Sequence, residues 1–528
     1  MSDPVLPLDV LLEIVRLLHA DNGALYNICL SSRLLHSAAA KCLYARIQVP
    51  SQVDYRKLWS ARLPPSQGDY RKIRSARLPP YSSYVRYLEM ENQSVTEEMM
   101  AAVEAFSNLS SIKIRFGFRY PPTPPYTSQS EHFSWSALLR KTLEHHPSLR
   151  EIHLSNLKDA YSELIQLVKS ETSGLQKLTI EDSTTQLNLG LLASVRPDTS
   201  DFTQTLNELH IIRFGAQYWR TYGFHWNTPL LSSLLPHLRY VKRLTLGPMS
   251  SDVDELPLLG QLPSLRELTI QYDDHSSNTT YNSKKHTPFR LQSLTVIQTL
   301  PSRTRLQNDK FCRWVIKLIS SSSLLEHLYI DNFSLPDLYD GRLLGRFIHA
   351  RKNANASYDA LIDHLVEKHP NSLQTLHLGF GFIRKKTFIL ICKRLRYLRE
   401  WTFAADENVL RIFTRHASGM EWLHNVQIEL RNLDSAARRP PLGGGVDLEM
   451  TFSTRHVWPR TVTPLELMEG CSGLRVLQVD RDLYEKSVTL CHNDDEIRES
   501  EPMPHAHLHT EIKHKHFSGR LWYIPPRS

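Results

Sequence analysis

Histidine is densest near the C-terminus, where His505, His507, His509, His514 and His516 follow Cys491 and His492. Imidazole and thiolate are the common zinc ligands, and alternate histidines could chelate the ion if this segment folds. No second cysteine completes a usual structural set, and the stretch from Asp494 to Glu501 is acidic and polar. That composition predicts a solvated, partly disordered tail rather than a metal centre. Other chemistry is equally thin. No Gly-x-Ser-x-Gly elbow, Walker loop or dinucleotide fingerprint is present. Gly443-Gly444-Gly445 follows Pro440-Pro441 and reads as a flexible loop without need of a phosphate. The sequence thus predicts no catalytic residue, no cofactor and no metal, and points to a non-enzymatic protein.

Composition narrows the class further. Hydrophobic residues make up 41% and charged residues 22% of 528, enough apolar material for a large core. No apolar run approaches the ~20 residues a bilayer-spanning helix needs. Asp3, Asp9, Glu13 and Arg16 interrupt the first apolar stretch, which argues against a signal peptide. The six cysteines, Cys29, Cys42, Cys312, Cys392, Cys471 and Cys491, are scattered, which suits a reducing, cytoplasmic or nuclear setting. The net charge of +8 is partly local: Arg56, Lys57, Arg62, Arg71, Lys72, Arg74 and Arg77 face only Asp54 and Asp69 between positions 51 and 80. That basic stretch is a tandem duplication, SQVDYRKLWSARLPP then SQGDYRKIRSARLPP. Near-identical copies imply an exposed insertion, and a patch of this size reads as a solvated face rather than a nucleic-acid site.

One phrase organises most of the chain: apolar, two variable residues, apolar, one variable residue, apolar. It reads LREIHL from Leu149, LQKLTI from Leu175, LNELHI from Leu206 and VKRLTL from Val241. It recurs as LRELTI from Leu265, LQSLTV from Leu291, LEHLYI from Leu325 and LQTLHL from Leu373. Weaker copies start at Val85, Leu109, Leu398, Leu423 and Leu474. The last three positions alternate as a half-buried strand does. Tight copies begin about 24 to 26 residues apart. Helical segments such as WSALLRKTLEHH and KFCRWVIKLIS lie between phrases. A strand and a helix per repeat, stacked on neighbours, bury one continuous core.

By period and alternation the chain from Val85 to Val479 resembles the leucine-rich-repeat family. The Asn or Cys that usually follows the strand is mostly missing; Ser183, Phe214, Asp273 and Phe333 stand where it would fall. The resemblance implies an irregular α/β solenoid that binds its target on one sheet face. The outward strand position carries His153, Thr179, His210, Thr245, Thr269, Thr295, Tyr329, His377 and Thr402. This neutral, hydrogen-bonding stripe is the expected protein-binding face, although threonine also simply favours strands.

The first fifty residues read as short helices. Pro7 and Asp9 favour a helix start, and Leu11, Ile14, Val15 and Leu18 make an apolar stripe. Asn22-Gly23 looks like a break before further helical turns. Leu6-Pro7, Val10-Leu11, Ile14, Leu18, Leu30-Ser31-Arg33, Ala39 and Leu43-Tyr44 resemble an F-box, with tyrosine where a tryptophan is common. The resemblance implies docking of a Skp-type adaptor, and through it a cullin–RING ubiquitin ligase, by Leu6, Pro7, Leu11, Ile14 and Leu30. The expected layout is a helical head at 1–50, a basic duplicated linker at 51–84, a repeat solenoid at 85–480 and a polar histidine-rich tail at 481–528. Its expected role is substrate recognition in an SCF-type ligase; the alternative is a repeat scaffold with no ligase link, its head only a cap.

Overall fold

The structure, a computed structural model, describes residues 8–18, 21–31, 33–49, 82–92, 100, 103–104, 106–116, 135–155, 174–182, 205–213, 238–250, 259–273, 290–298, 305–332, 358–430, 464–479, 482–491 and 507–516. The chain forms two compact units, Met1–Gly247 with Gln261–Leu265, and Pro248–Gly260 with Arg266–Ser528.

The first unit opens with α1 (Leu8–Leu17), α2 (Asn22–Ser31) and α3 (Arg33–Leu43). Val15, Leu25 and Ala39, one from each helix, are buried together, with Leu18, Ile28, Cys29, Cys42 and Leu43 packed around them. Asp21 ends the first connection: its Oδ1 accepts from Ala24 N at 2.9 Å, capping α2. Asn22 and Gly23 are therefore the first turn of α2 rather than the break expected from their types.

The head then feeds a strand. Residues Arg46–Val49 (β1) pair in parallel with Tyr87–Asn92 (β2). The ladder continues through β3 (Ser111–Phe116), β4 (Glu151–Ser155), β5 (Lys177–Asp182), β6 (Glu208–Arg213) and β7 (Arg243–Ser250), each parallel to the one before. Helix α4 (Trp135–His145) leads into β4. The sheet thus starts inside the segment expected to be purely helical. Its phrase, Tyr44 to Val49, has tyrosine in the first apolar place. The duplication at 51–80 falls between β1 and β2 in the chain and lies outside the described residues.

The second unit repeats the pattern. Strands β8 (Glu267–Asp273), β9 (Ser293–Gln298), β10 (His327–Asn332), β11 (Thr375–Phe382), β12 (Glu400–Ala405), β13 (Asn425–Leu430) and β14 (Val476–Val479) run parallel in sequence order. Helices α5 (Arg305–Ile319), α6 (Asp359–Lys368), α7 (Lys385–Arg394), α8 (Glu407–Ala417) and α9 (Pro464–Gly470) lie between them in the chain, each packing on the next. Asp406 caps α8 by accepting from Val409 N at 3.1 Å. The register of β11 on β12 shifts between His377 and Phe382, and Gly379 there takes φ 53, a conformation costly for any side chain with a Cβ.

Alternate strand residues build the core. Leu268, Leu294, Leu328, Leu376, Trp401, Val426 and Leu477 are neighbours in register, and all are buried. Trp401 and Phe403 of β12 meet Phe388 of α7 at 5.2 and 6.1 Å between ring centroids. Phe388 also meets Phe413 of α8 at 5.6 Å. This places the helices on the side of the inward leucines and leaves the stripe on the opposite face.

Most of the parallel strands begin in one way. The peptide N–H groups of Gln176 and Lys177 both donate to the carbonyl of Arg150, at 2.8 and 3.0 Å. The same forked pair joins Asn207 and Glu208 to Gln176, Gln374 and Thr375 to Glu326, and Arg475 and Val476 to His424. Backbone alone therefore satisfies these N–H groups at the start of those strands. The fold is a leucine-rich-repeat-like array in each unit.

The tail departs from expectation. Asp482–Cys491 (β15) pairs antiparallel with β14, and His507–His516 (β16) pairs antiparallel with β15 along its full length. The sequence DLYEKSVTLC supplies the β-favouring, alternating residues, and the hairpin covers the edge that β14 would otherwise expose. Among the described residues no helix is long and apolar enough to cross a membrane.

Candidate functional site

In the first unit the outward column runs Glu89, Lys113, His153, Thr179, His210 and Thr245, each opposite the next in register. The sequence stripe included the last four; Glu89 and Lys113 extend it, through the weaker phrases at Val85 and Leu109. These side chains mostly satisfy one another. Lys113 Nζ lies 3.1 Å from Glu89 Oε1, and His210 Nδ1 lies 2.8 Å from Thr245 Oγ1. Glu208 gathers Arg243 Nη1 at 2.8 Å and Lys177 Nζ at 3.4 Å. Burial alone would raise the Glu208 pKa, but Lys177, Arg243 and a hydrogen bond from His210 hold it below the ordinary value.

One cluster here has the residue types of a nucleophilic triad. Ser155 Oγ donates to Glu181 Oε2 at 2.6 Å and lies 2.9 Å from His153 Nε2, which is itself 3.0 Å from Glu181 Oε2. The three meet at a single ring nitrogen, whereas a triad uses one imidazole nitrogen for the nucleophile and the other for the carboxylate. Ser155 is also fully buried. The arrangement is a latch between β4 and β5. Burial would raise Glu181, yet the hydrogen bonds from His153 and Ser155, with the charges of His153 and Lys113, hold it low.

In the second unit the column runs Thr269, Thr295, Tyr329, His377, Thr402, Gln427 and Gln478. No ionised side chain stands in it at neutral pH, because burial pushes the His377 pKa down to about 4. Tyr329 bridges two histidines, 6.4 Å from His327 and 6.2 Å from His377 between ring centroids. Gln427 and Gln478 belong to weak phrases and were missed in the sequence stripe. Most column residues are half-buried, and Thr179, Gln427 and Gln478 are buried outright. Full solvent exposure, the natural expectation for an outward strand position, fails because neighbours in register stand only about 4.8 Å apart and cover each other.

The head has its own surface. Leu11, Val15 and Leu18 form the inward side of α1, whereas Val10, Ile14 and Leu17 form a second apolar line that faces solvent. Ile14, expected in one stripe with Leu11 and Val15, is on this outer line. On α2, Tyr26 and Leu30 are exposed one turn apart. Leu17 and Leu30 are 73% and 70% exposed, so neither contributes to the head's own core. Of the expected docking residues, Ile14 and Leu30 are exposed and Leu11 is half-buried. Leu6 and Pro7 lie outside the described residues.

Among the described residues no three His, Cys, Asp or Glu side chains are grouped to hold a metal ion. His492 and His505 lie outside the described residues.

No family model and no characterised protein matches the chain in sequence. Among solved structures it is similar to a leucine-rich-repeat protein of Leptospira interrogans, at 12% identity over 74% of this chain and 92% of that one, with a TM-score of 0.26. It is also similar to a Bacteroides fragilis protein, at 14% identity over 45% of this chain and 69% of that one, with a TM-score of 0.24. At such scores neither likeness carries weight, and the repeat fold rests on the in-register ladders themselves.

Proposed function

We propose that the chain is a non-enzymatic substrate-recognition subunit of an SCF-type ubiquitin ligase. The head docks a Skp-type adaptor, and through it a cullin–RING ligase, while the repeat array holds a protein target. The observation that carries this reading is the second apolar line on α1. A small helical head with a complete core of its own still presents Val10, Ile14 and Leu17, with Tyr26 and Leu30, to solvent. Exposed apolar helix faces of this kind mark partner surfaces, and a helix set into a partner's groove is a common way to cover them. The F-box resemblance supplies the identity of the partner. The neutral, half-buried column of the second unit supplies hydrogen-bonding groups and one aromatic anchor, Tyr329, of the sort protein targets use.

The test is co-purification of the full chain with a Skp-type adaptor and its cullin. Wild type is expected to retain both; Leu17→Asp and Leu30→Asp are expected to lose both while their circular dichroism is unchanged. If the adaptor does not associate with wild type, or if both variants retain it, the ligase reading fails and a repeat scaffold without ligase link replaces it.

A further inference from the structure

The start of the last three parallel strands of the second unit carries a surface that neither the core nor the sheet-face column uses. Tyr397 and Trp422 hold the place just before the buried Leu398 and Leu423, and both are 48% exposed. Other repeats fill the same place with small residues, Ser148, Gly174, Ser372 or Gly473, or with Tyr84, exposed Tyr240 or exposed Leu324, so the fold itself requires no aromatic there. One step past those leucines, Arg399, His424 and Arg475 follow each other from strand to strand. His424 N donates to the Arg399 carbonyl and Arg475 N to the His424 carbonyl, each at 2.8 Å. Arg399 lies over the Trp422 ring, its guanidinium carbon 5.7 Å from the centroid. Arg399 and Arg475 are exposed.

We propose that this ridge binds an acidic peptide segment carrying an aromatic or aliphatic side chain. Arg399 and Arg475 pair with carboxylates, and Trp422 and Tyr397 cover the apolar side chain. Two strand spacings separate the arginines, about 10 Å, which an extended peptide spans within a few residues. Arginine and exposed tryptophan or tyrosine are the side chains most enriched at the energetic centre of protein interfaces. A peptide fits better than a nucleic-acid strand, because Glu400 and exposed Glu421 stand among the cations. A phosphate at every residue would meet them, whereas a peptide can place its carboxylates over the arginines alone. His424 agrees with this picture. Burial first, then the charges of Arg475 and Arg399, hold its pKa below the ordinary value, with Glu400 opposing. An anion on the ridge reverses the largest of those charge effects and favours the protonated ring. The proposal is independent of the adaptor reading.

The experiment is fluorescence anisotropy on the full chain with three labelled probes: a short Asp/Glu-rich peptide around one phenylalanine, its Lys-rich counterpart, and a short oligouridylate. The acidic peptide is expected to bind, to weaken with salt, and to tighten as pH falls from 7 to 6. Arg399→Glu and Arg475→Glu should each weaken it by about tenfold or more, and Trp422→Ala by a similar factor. The double charge reversal R399E/R475E should bind the Lys-rich peptide instead, which a misfolded variant would not do. Absence of acidic-peptide binding, or indifference to all three substitutions, overturns the proposal. Preference for oligouridylate, lost in the same variants, overturns it in favour of a nucleic-acid surface.

Discussion

Leu294 and Thr295 are adjacent on β9 and separate the two faces of the sheet in one step. Leu294 is fully buried and stands in register between Leu268 and Leu328, both also buried. Replacing it with alanine removes three buried carbons, which costs about 2.5 kcal/mol in transfer alone, at about 0.8 kcal/mol per carbon. The neighbours are held at a fixed spacing by the backbone ladder on both sides, so the gap closes poorly and the cavity adds about 1 kcal/mol. The expected loss for Leu294→Ala is therefore about 3–4 kcal/mol. Thr295 is half-buried on the opposite face between Thr269 and Tyr329. Its replacement by alanine forfeits only cross-strand contacts, about 1 kcal/mol or less. Urea unfolding followed by circular dichroism separates the two, read on the transition that Leu294→Ala shifts. Comparable losses from both variants would refute the assignment of faces, and with it the core and the stripe together.

Two further outcomes follow from close contacts and burial. A Cβ at Gly473 would sit 2.3 Å from the Glu421 carbonyl oxygen, which belongs to the preceding turn, whereas one at Gly174, in the equivalent place, meets nothing within 4 Å. Gly473→Ala should cost about 1–3 kcal/mol in chemical denaturation and Gly174→Ala close to none; equal effects would show that the turns do not stack as described. His369 is buried, and burial, aided by nearby His364, pushes its pKa down to about 4, well below the ordinary value of 6.5. The unfolded chain takes up this proton first, so stability is full above pH 6.5 and falls towards pH 4, by about 3 kcal/mol from this group. His377 acts with the same sign. Urea midpoints at pH 7 and 4.5 should show the decline, and His369→Gln should flatten it; an unchanged slope in that variant would remove His369 as the cause.

Strand positions were legible because the phrase repeats burial at fixed offsets, so that even weak copies such as LREWTF from Leu398 fall in register with their neighbours. The first strand was not, because Tyr44 opens its phrase and Arg46 follows a helical stretch with no turn signal. The β15–β16 hairpin was hidden by composition: β16 is rich in histidine and ends in alternating lysine and histidine from Lys513 to His516, and local propensity does not register the β14 edge that the pair covers. Ile14 illustrates a finer limit. Its spacing fits the inward stripe of α1, and only the packing of Val15 against Leu25 and Ala39 fixes which side turns out. The face of each stripe residue follows from alternation, but its burial depends on neighbours that are distant in sequence.

The forked backbone joint at most parallel strand starts sets the register without relying on the type of side chain at that place. Arg150, Gln176, Glu326, Gln374, Arg399 and His424 all provide the accepting carbonyl, and nothing in the joint depends on which of them is present. Where side chains themselves make such a joint, their types are chemically frozen. Here one edge of each unit's array is a row of interchangeable sites, each rewritable without disturbing the core beneath it. Charge along that edge can be composed repeat by repeat, which makes it the natural place to redirect the protein towards a different partner.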